Sequence, residues 1–524
     1  MAKADLTQGR TGISRVSANV LSNWGSFAFS AVVSFFLSPF IVRHLGASSY
    51  GVWTLVVSLT GYLGLLDMGV RGAVTRYVAK FHATGEQEQL TGIVSSAFSI
   101  FVAAGTIAIL VSIGLSLFAV PHFSISAAYL RSTRFVLVIA GVTVATSLIS
   151  GVFGGVVIGM QRFDLSNLIE ALSTAIRAPL IVFALVRGGG IVALSEIQLG
   201  FSVLALVVYW LLAKRLCPTL KIQFDQTDRQ RLKLILSFSG FSFVLQMSDY
   251  MVYYTDSVVI GTFLPVSAIT FFAIASNLMS YARAPISSIS VIMTPLASSV
   301  EAKNDCAQVR RVTLKASRYA TAIMLPVAIT FLIRGKSFIG LWMGPGYAEL
   351  SGRVLAILTL PWLFSAGNGT LCAVMMGLNK HKGVVPAQLA EGVCNLALSI
   401  VLVRHMGIVG VAWGTTIPNL AFHLLFWPWY LRKILNIPIS THVGSTWIRP
   451  LAASIPFAVC TWGVERWLPA SDLAIFFLQV LSVIPIWLVS AWFFVIEGED
   501  RKHLIAPISS GETITSAAGV RVGQ

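Results

Sequence analysis

Long apolar segments recur along the whole chain and set the strongest limit on its fold. Fourteen runs are each near the length needed to cross a hydrocarbon layer of about 30 Å. A backbone in lipid must satisfy its own hydrogen bonds, so runs of this length favour membrane-spanning helices. We therefore predict an all-α, polytopic membrane protein of about fourteen transmembrane helices. The predicted spans are 17–42, 48–69, 90–118, 135–160, 166–186, 191–213, 235–262, 267–299, 317–342, 349–377, 384–403, 407–431, 449–468 and 473–496.

The composition agrees with this fold class. The 524 residues are 56% hydrophobic and 11% charged, whereas soluble proteins average about 25% charged residues. The net charge of +16 comes mostly from loops that contact water and anionic headgroups, so we predict no nucleic-acid partner. The five cysteines show neither a disulfide framework nor a metal-ligand spacing. We expect no metal and no cofactor.

Lysine and arginine residues are distributed unevenly between the two sides of the predicted spans. With the N-terminus in the cytoplasm, 26 of the 37 basic residues lie in cytoplasmic segments and nine lie on the opposite side. The remaining two are Arg177 and Arg283, which lie within spans. Because positively charged loops stay in the cytoplasm, this bias predicts cytoplasmic N- and C-termini and an even number of spans.

Two polar segments divide the predicted spans into groups of six, six and two. This pattern favours a transporter with a pseudo-repeat of six helices and an appended helical hairpin. The predicted parts are a cytoplasmic N-terminus at 1–16, a six-helix lobe at 17–213, a cytoplasmic linker at 214–234, a second six-helix lobe at 235–432, two final spans at 433–496 and a cytoplasmic tail at 497–524.

Two arginines lie about halfway along predicted spans, where a charged side chain needs a partner or a water-filled cavity. These residues are Arg177 and Arg283. A guanidinium group stays protonated and binds phosphate oxygens through paired hydrogen bonds, so both could line a cavity for an anionic substrate. The alternative is that they pair with carboxylates such as Asp249, Glu170 or Glu391 and lock helices together.

Three carboxylates in predicted spans are candidates for binding a coupling proton or sodium ion. They are Asp249, Asp256 and Glu391. Desolvation favours the neutral form of a carboxyl group in a dry cavity, which makes its protonation accessible near neutral pH. An ion pair or a hydrogen bond to a neighbouring helix is the alternative role.

Two further polar patches in the spans are candidates for contact with a sugar. Tyr250, Tyr253 and Tyr254 share one side of a predicted helix, and aromatic rings suit sugar rings, although packing is the alternative. Asn19 and Asn23 lie one turn apart at the start of the first span. They are candidates for hydrogen bonds to a sugar or headgroup, and helix-to-helix hydrogen bonding is the alternative.

A ridge of small residues in the fourth span predicts close helix packing. Gly151, Gly155 and Gly159 repeat every four residues and so lie on one helix face. The sequence shows no Ser/His/Asp set, no paired carboxylates in an external domain and no zinc-ligand cluster. His423 lies inside a span and is interpreted as a packed polar residue. We predict that the chain is not an enzyme.

The segment 45–80 carries a family pattern. It contains L-G-x-x-x-Y-G, then D-x-G at Asp67 and Gly69, then R-Y-V-A from Arg76. In physical terms, a span meets water at Asp67 and continues as a short basic interfacial stretch that begins with Arg71. The pattern resembles the bacterial polysaccharide and oligosaccharide exporters, the flippases that move lipid-linked sugars across the cytoplasmic membrane.

Three further segments resemble the same family in order and spacing. The sequence G-x-Q-R-F contains Arg162 and is followed by Asn167, and a serine-rich run contains Pro295. The sequence GIVGVAWGTT at 407–416 resembles the entry to the twelfth span of these proteins. The resemblance covers about residues 15–435.

The resemblance implies a V-shaped transporter of two helical lobes in the multidrug/oligosaccharidyl-lipid/polysaccharide exporter superfamily. It would flip an undecaprenyl-diphosphate-linked oligosaccharide outward across the bacterial inner membrane by alternating access, for exopolysaccharide, O-antigen or capsule biosynthesis. The diphosphate would lie in a cavity between the lobes near Arg177 and Arg283, and the isoprenoid tail would stay among the membrane lipids. A polysaccharide polymerase and a chain-length regulator would be its partners.

Three alternatives remain open. A lipid II flippase of the same superfamily would share the fourteen spans, but its cationic first-span signature is absent here, where that span offers Asn19, Asn23 and Trp24. A drug/cation antiporter would have twelve spans and depend on acidic lobe residues. A membrane-embedded glycosyltransferase or polymerase is disfavoured by the short outer loops.

Overall fold

The computed structural model describes the backbone of residues 2–220, 222, 229–301, 305–498, 500 and 501. Side chains are described over the same residues except 2–24, 26, 229, 236–242, 245, 284–292, 295 and 368. The side chains of Asn23 and Pro295, two of the predicted site residues, therefore lie outside the described part, as does most of the predicted tail. The described backbone contains helices and turns without a β-strand, which confirms the all-α class.

Contacts between helices group the chain into two units. The first comprises Met1–Ala273 and Leu396–Val411, and the second comprises Ile274–Asn395 and Ala412–Gln524. The predicted division into two six-helix lobes and a final pair stays a prediction.

The described helices follow one another along the chain with short connections. The first eight are α1 (Ala2–Gly61), α2 (Val70–Thr84), α3 (Gln87–Gly114), α4 (Ala127–Gly159), α5 (Phe163–Val186), α6 (Gly190–Leu216), α7 (Arg229–Phe263) and α8 (Ser267–Glu301). The others are α9 (Cys306–Trp342), α10 (Pro345–Thr359), α11 (Trp362–Ser365), α12 (Asn368–Gly377), α13 (Val385–Met406), α14 (Ile408–Ala421), α15 (Trp427–Leu435), α16 (Ile439–His442), α17 (Arg449–Trp467) and α18 (Leu473–Phe494). Short 3-10 segments lie at Tyr62–Asp67, Val120–His122 and His381–Gly383, and π-helical turns lie at Leu115–Ala119, Phe422–Phe426 and Val443–Ile448.

These helices fit a protein that crosses the membrane many times. In the part of the chain that the structure describes, nine helices are long and apolar enough to span a bilayer, or ten if a bent pair counts as one span. Two of the fourteen predicted spans fall on the single helix α1, so the number of long helices is lower than the number of membrane crossings that the sequence predicts. The number of spans stays a prediction.

The helix α1 shows how two spans follow each other without a loop. It extends to Gly61, but Gly46 within it has the non-helical angles φ 75° and ψ 165°, which divide it into two helical segments at a kink. Glycine adopts this conformation readily and other residues rarely do. The first two predicted spans therefore meet at a sharp bend at Gly46.

The core of the first unit lies where α2 crosses α4. A Cβ atom at Gly155 would lie 3.0 Å from Cγ1 of Val74, and one at Gly159 would lie 2.9 Å from the backbone oxygen of Thr75. Two such glycines allow the helix backbones to approach closely. The predicted packing role of the glycine ridge is confirmed.

In the second unit, α9 packs along both of the last two long helices. Its middle contributes Leu325 and Ile329 to an apolar cluster with Phe457 of α17 and Val483 of α18. Apolar burial of this kind stabilises the packing of α9 against α17 and α18 but does not fix their orientation. Two sets of ion pairs along α9 make contacts of defined geometry.

One ion pair is buried near the C-terminal end of α9. The Nε of Arg334 donates to Oε2 of Glu465 on α17 at 2.8 Å, and its Nη2 donates to Oε1 of Gln479 on α18 at 2.6 Å. The guanidinium also lies over the ring of Phe476, 4.4 Å from its centroid. The Arg334 side chain is 1% exposed, so these contacts replace its hydration.

A second set of ion pairs lies about 24 Å away along α9, at 1.5 Å per residue. Nη1 of Arg318 donates to Oε1 of Glu497 at 2.7 Å, and its Nε donates to the backbone oxygen of Ser445 at 3.1 Å. Nζ of Lys315 lies 2.8 Å from Oδ1 of Asp500. The final helix pair is therefore fixed to both ends of α9.

Candidate substrate-binding site

The family pattern around Asp67 forms a structured turn at the start of α2. The 3-10 segment ends at Asp67, and Met68 (φ 47°) and Gly69 (φ 77°) then both adopt left-handed conformations. Gly69 meets this requirement without a steric penalty. Oδ1 of Asp67 accepts a hydrogen bond from the backbone N–H of Arg71 at 3.4 Å, and Oδ2 lies 3.4 Å from its Nε. The turn thereby fixes the direction of the Arg71 side chain.

Arg71 lies on the glycine ridge of α4. A Cβ atom at Gly151 would lie 2.7 Å from Nε of Arg71, so the absent side chain provides the space for the guanidinium group. The Arg71 side chain is 49% exposed. A half-exposed guanidinium that is positioned by Asp67 can donate to a ligand without breaking a buried ion pair.

The helices α5 and α6 add polar groups to the same unit. Nη1 of Arg177 donates to Oε1 of Gln198 at 3.3 Å, and Glu170, two turns earlier on α5, lies within electrostatic range of Arg177. Tyr209 on α6 lies within electrostatic range of both Glu170 and Arg71. Together with the Asp67 turn, these residues form what we call the polar cluster of the first unit. Its members are Asp67, Arg71, Glu170, Arg177, Gln198 and Tyr209.

Two of the three predicted tyrosines pack beside this cluster. A Cβ atom at Gly64 would lie 2.9 Å from Oη of Tyr250, and one at Gly61 would lie 2.6 Å from Cζ of Tyr254. The rings of Tyr250 and Tyr254 have centroids 5.2 Å apart in an edge-to-face arrangement. Tyr253 is 46% exposed. Tyr254 therefore packs against the backbone, while Tyr250 also lies within electrostatic range of Asp67 and Arg71.

The two aspartates of α7 have different surroundings. Asp249 is exposed, whereas Asp256, two turns later, is 4% exposed. Asp256 lies within electrostatic range of Tyr62, whose hydroxyl shares a hydrogen bond with Thr255. Asp249 therefore lies at the surface of the helix packing, whereas Asp256 is held within it.

Arg283 belongs to the second unit and lies against an aromatic ring. Its Cζ is 5.7 Å from the ring centroid of Trp362, a cation–π distance. His423, which is 8% exposed, lies within electrostatic range of the same guanidinium. The predicted packing of His423 is confirmed by its burial.

Glu391 is part of a polar contact between α13 and α14. Its Oε1 accepts a hydrogen bond from Nδ2 of Asn419 at 2.6 Å. One turn further along α13, Asn395 is 1% exposed, and its two amide atoms have no hydrogen-bond partner within the described residues. An unsatisfied buried amide is costly and calls for a water molecule or an ion.

The remaining motif residues have the following surroundings. Cζ of Arg76 is 5.8 Å from the ring centroid of Tyr77. Arg162 forms an ion pair with Asp164 at 2.9 Å at the start of α5, and Asn167 is half-buried on the first turns of that helix. These positions stay predictions as family-motif residues.

Sequence reasoning missed several of the residues that the structure brings together. Arg71 was placed only in a basic interfacial stretch, because the space above Gly151 cannot be read from either segment alone. Arg334 was counted among the nine basic residues of the outer side, and its burial against Glu465 and Gln479 could not be read from its own helix. The acidic residue Glu465 in the final helical hairpin could have indicated a partner for Arg334.

The described residues contain no group of three or more His, Cys, Asp or Glu side chains arranged to hold a metal ion. The polar cluster of the first unit instead combines guanidinium, amide and hydroxyl groups with the carboxylates of Asp67 and Glu170. Such groups bind anions and sugar hydroxyls through hydrogen bonds.

The sequence matches a family model described as "Polysaccharide biosynthesis protein" over residues 40–352. It is 21% identical over 458 residues to the uncharacterized membrane protein EpsK of Bacillus subtilis (strain 168), covering 86% of this chain and 88% of that protein. It is 20% identical over 419 residues to a putative O-antigen transporter of Shigella flexneri, covering 80% and 98%. A probable low-salt glycan biosynthesis flippase of Haloferax volcanii, Agl15, is 22% identical over 429 residues, covering 78% and 82%.

Solved structures show the same fold. The lipid II flippase MurJ in an inward closed conformation aligns with a TM-score of 0.70 at 14% identity, covering 91% of this chain and 98% of that chain. An inward-facing multidrug resistance MATE family transporter of the MOP superfamily aligns with a TM-score of 0.60 at 15% identity, covering 80% and 96%. At these identities, the likeness concerns the fold alone.

Proposed function

The chain belongs to the polysaccharide biosynthesis protein family, the polysaccharide flippases of the MOP superfamily, and we propose that its cargo is an undecaprenyl-diphosphate-linked oligosaccharide repeat unit. It moves this unit from the cytoplasmic to the outer face of the bacterial inner membrane by alternating access. Export of this kind serves exopolysaccharide, O-antigen or capsule biosynthesis. The proposal includes no covalent step, so the protein acts as a transporter and not as an enzyme.

The observation that carries the proposal is the polar cluster of the first unit. A diphosphate cannot cross hydrocarbon unaided, because moving an isolated charge from water into an apolar medium costs on the order of tens of kcal/mol of solvation free energy. Arg71, paired with Asp67 at the start of the basic helix α2, and Arg177, bonded to Gln198 from the apolar helix α5, present two guanidinium groups in the same unit. Guanidinium groups match phosphate oxygens through paired hydrogen bonds and keep their charge.

The sugar part of the cargo has separate binding candidates. Tyr250 lies beside Asp67 and Arg71, and Tyr253 is exposed on the same helix. Aromatic side chains combine an apolar face with a hydroxyl group, which suits a sugar ring. Asn23 stays a candidate from the sequence.

The arginine roles are tested by export of the surface polymer in cells that carry Arg177→Ala or Arg283→Ala. Loss of export at an unchanged protein level, with partial recovery in the Lys variants, is the expected result. A lysine keeps the charge but not the paired hydrogen bonds. Arg353→Ala is the control, because this 65% exposed side chain forms only a surface ion pair. Normal export in both alanine variants would exclude a role in binding the diphosphate.

We also propose that transport is coupled to a proton or sodium gradient. Glu391 beside Asn419 supports this, because a carboxylate and the orphaned amide of Asn395 provide oxygen ligands in an apolar setting. Asp249 and Asp256 are the candidates in the first unit. Asp249→Asn and Glu391→Gln should each weaken the dependence of transport on the ion gradient. An unchanged dependence in both variants would leave these carboxylates with a structural role.

Location and partners follow from the same proposal. The protein resides in the bacterial inner membrane with both termini in the cytoplasm, as the positive-inside bias supports. Membrane lipids surround it and hold the isoprenoid tail of its cargo. A polysaccharide polymerase and a chain-length regulator are its proposed partners on the outer face.

A further inference from the structure

A cavity of about 540 Å³ lies within the first unit at the N-terminal end of α4. Arg131 and Arg134 line it from α4, and Val192 lines it from α6. The π-helical turn Leu115–Ala119 forms another side, where Oγ of Ser116 donates to the backbone oxygen of Arg134 at 3.2 Å. This volume falls within the range of about 300–1,000 Å³ that is typical of small-molecule sites.

The two arginines oppose the local preferences of their helix. They lie three residues apart, so their side chains are neighbours of like charge. In the part of the chain that the structure describes, neither arginine forms an ion pair with a carboxylate, including Glu196, one turn beyond Val192 on α6. A bound anion would relieve the repulsion between the two guanidinium groups.

Apart from the two arginines, Ser116 and Ser132, the cavity is lined by accessible apolar side chains. Leu117 and Phe135 line the cavity and are 55% and 51% exposed. Inorganic phosphate would leave this apolar wall uncovered, whereas an amphipathic anion would cover it and gain about 25 cal/mol per Å² of buried apolar surface. The charge and the apolar surface together select a ligand with an anionic head and an acyl chain.

We propose that this cavity binds the headgroup of an anionic phospholipid of the surrounding membrane. The phosphate lies between the guanidinium groups of Arg131 and Arg134, and the acyl chains extend along Leu117 and Phe135. The distribution of basic residues predicts that this end of α4 lies at the outer face, and the end of a membrane-spanning helix lies at the level of the lipid headgroups.

The site is separate from the polar cluster that we propose for the cargo. Arg134 and Gly151 lie seventeen residues apart on α4, which corresponds to about 26 Å along the helix axis. If the lipid proposal fails, the proposed flippase function is therefore unaffected. If the proposed flippase function fails, the lipid proposal is unaffected.

The test uses the full-length protein, delipidated in detergent, and dioctanoyl phosphatidylglycerol as the anionic probe. Dioctanoyl phosphatidylcholine and inorganic phosphate are the comparison probes, and binding is measured by native mass spectrometry. The unmodified protein should bind phosphatidylglycerol about tenfold more tightly than phosphatidylcholine, since one charge-assisted contact accounts for that factor. The variant R131Q/R134Q should lose this preference.

Arg187→Gln is the matched control. Arg187 lies in the same unit, outside the cavity, with its guanidinium 4.8 Å from the ring centroid of Phe183, and this variant should keep the preference. Equal binding of both lipids by the unmodified protein, or an unchanged preference in R131Q/R134Q, would overturn the proposal. Complete displacement of phosphatidylglycerol by equimolar inorganic phosphate would assign the site to free phosphate instead. If the double variant does not fold, the single variants R131Q and R134Q decide the outcome.

Discussion

At the scale of single residues, Gly159 shows how little space separates α2 from α4. A Cβ atom there would lie 2.9 Å from the backbone oxygen of Thr75 and 2.9 Å from Cβ of Val78. A backbone carbonyl cannot rotate away as a flexible side chain can, so the helices themselves would have to separate.

Gly159→Ala should therefore destabilise the protein by about 1–3 kcal/mol, the usual cost of an overpacked contact. Thermal unfolding in detergent measures the effect. Gly200→Ala on α6 is the control, because a Cβ atom at Gly200 meets nothing within 4 Å. That change should be neutral or stabilising by about 0.5–1 kcal/mol, as alanine is the better helix former. Equal melting temperatures for the two variants would contradict the packing account.

Arg334 is a second single residue with a large expected effect. Its removal leaves Glu465 partly buried without its cation, and breaking such a pair costs about 3 kcal/mol or more. Arg334→Met should lower the melting temperature sharply, and adding Glu465→Gln should restore part of the loss.

Lys336→Met provides the comparison for Arg334→Met, from two residues further along the same helix. Lys336 is 65% exposed and pairs with Glu349 at the surface, where ion pairs add little to stability. If both methionine variants melted at the same temperature, the buried contacts of Arg334 would not stabilise the packing of α17 and α18 against α9.

The sequence indicates some of these residues and not others. Arg177 and Arg283 could be selected because a charge in the middle of an apolar run is conspicuous. Arg71 and Arg334 could not be assigned their contacts, because these depend on Gly151 and Glu465, residues far away in the chain. Spacing within one helix carries no information about such long-range partners.

At the scale of helices, the end of α18 is held by charge. Partial burial alone would raise the pKa of the Glu497 carboxyl, but the hydrogen bond from Arg318 and the charges of Arg318 and Lys315 lower that pKa overall. A carboxyl group with a lowered folded-state pKa stabilises the fold above its unfolded pKa of about 4.3. This contribution is lost as the pH falls through the folded-state pKa.

Acidification below about pH 4 should therefore loosen the attachment of the end of α18 to α9. Amide hydrogen exchange over residues 491–498, corrected for intrinsic rates, should be faster at about pH 3 than at about pH 5, and Glu497→Gln should remove part of this change. Glu88→Gln, at an exposed position on α3, is the control and should leave the change intact. An identical pH response in Glu497→Gln and the unmodified chain would rule out this mechanism.

The helices themselves were largely predictable, because each long apolar run must bury its backbone polar groups in lipid. What the runs did not indicate is how neighbouring helices connect. The predicted spans 17–42 and 48–69 leave residues 43–47 between them, and there the structure has a kink at Gly46 between two helical segments. The positive φ of Gly46 decides how the two spans connect. The composition of the segment does not reveal this conformation.

At the scale of the whole molecule, fold and family agree, and the cargo is the central claim. Residues 40–352 match the polysaccharide biosynthesis family, and the fold is shared with transporters of different cargo. Fold alone therefore does not select the substrate. The guanidinium groups of the polar cluster favour a diphosphate, but they do not identify the attached sugars.

The most direct measurement compares a strain that lacks this protein with the same strain carrying the unmodified chain or Arg177→Ala. Surface polysaccharides are analysed together with the extracted lipid-linked oligosaccharides and the membrane face that they occupy. The account predicts loss of one polymer in the deletion strain, accumulation of its lipid-linked repeat unit on the cytoplasmic face, and recovery only with the unmodified chain. Intact polysaccharides together with a new sensitivity to cationic drugs would contradict it and indicate an antiporter instead.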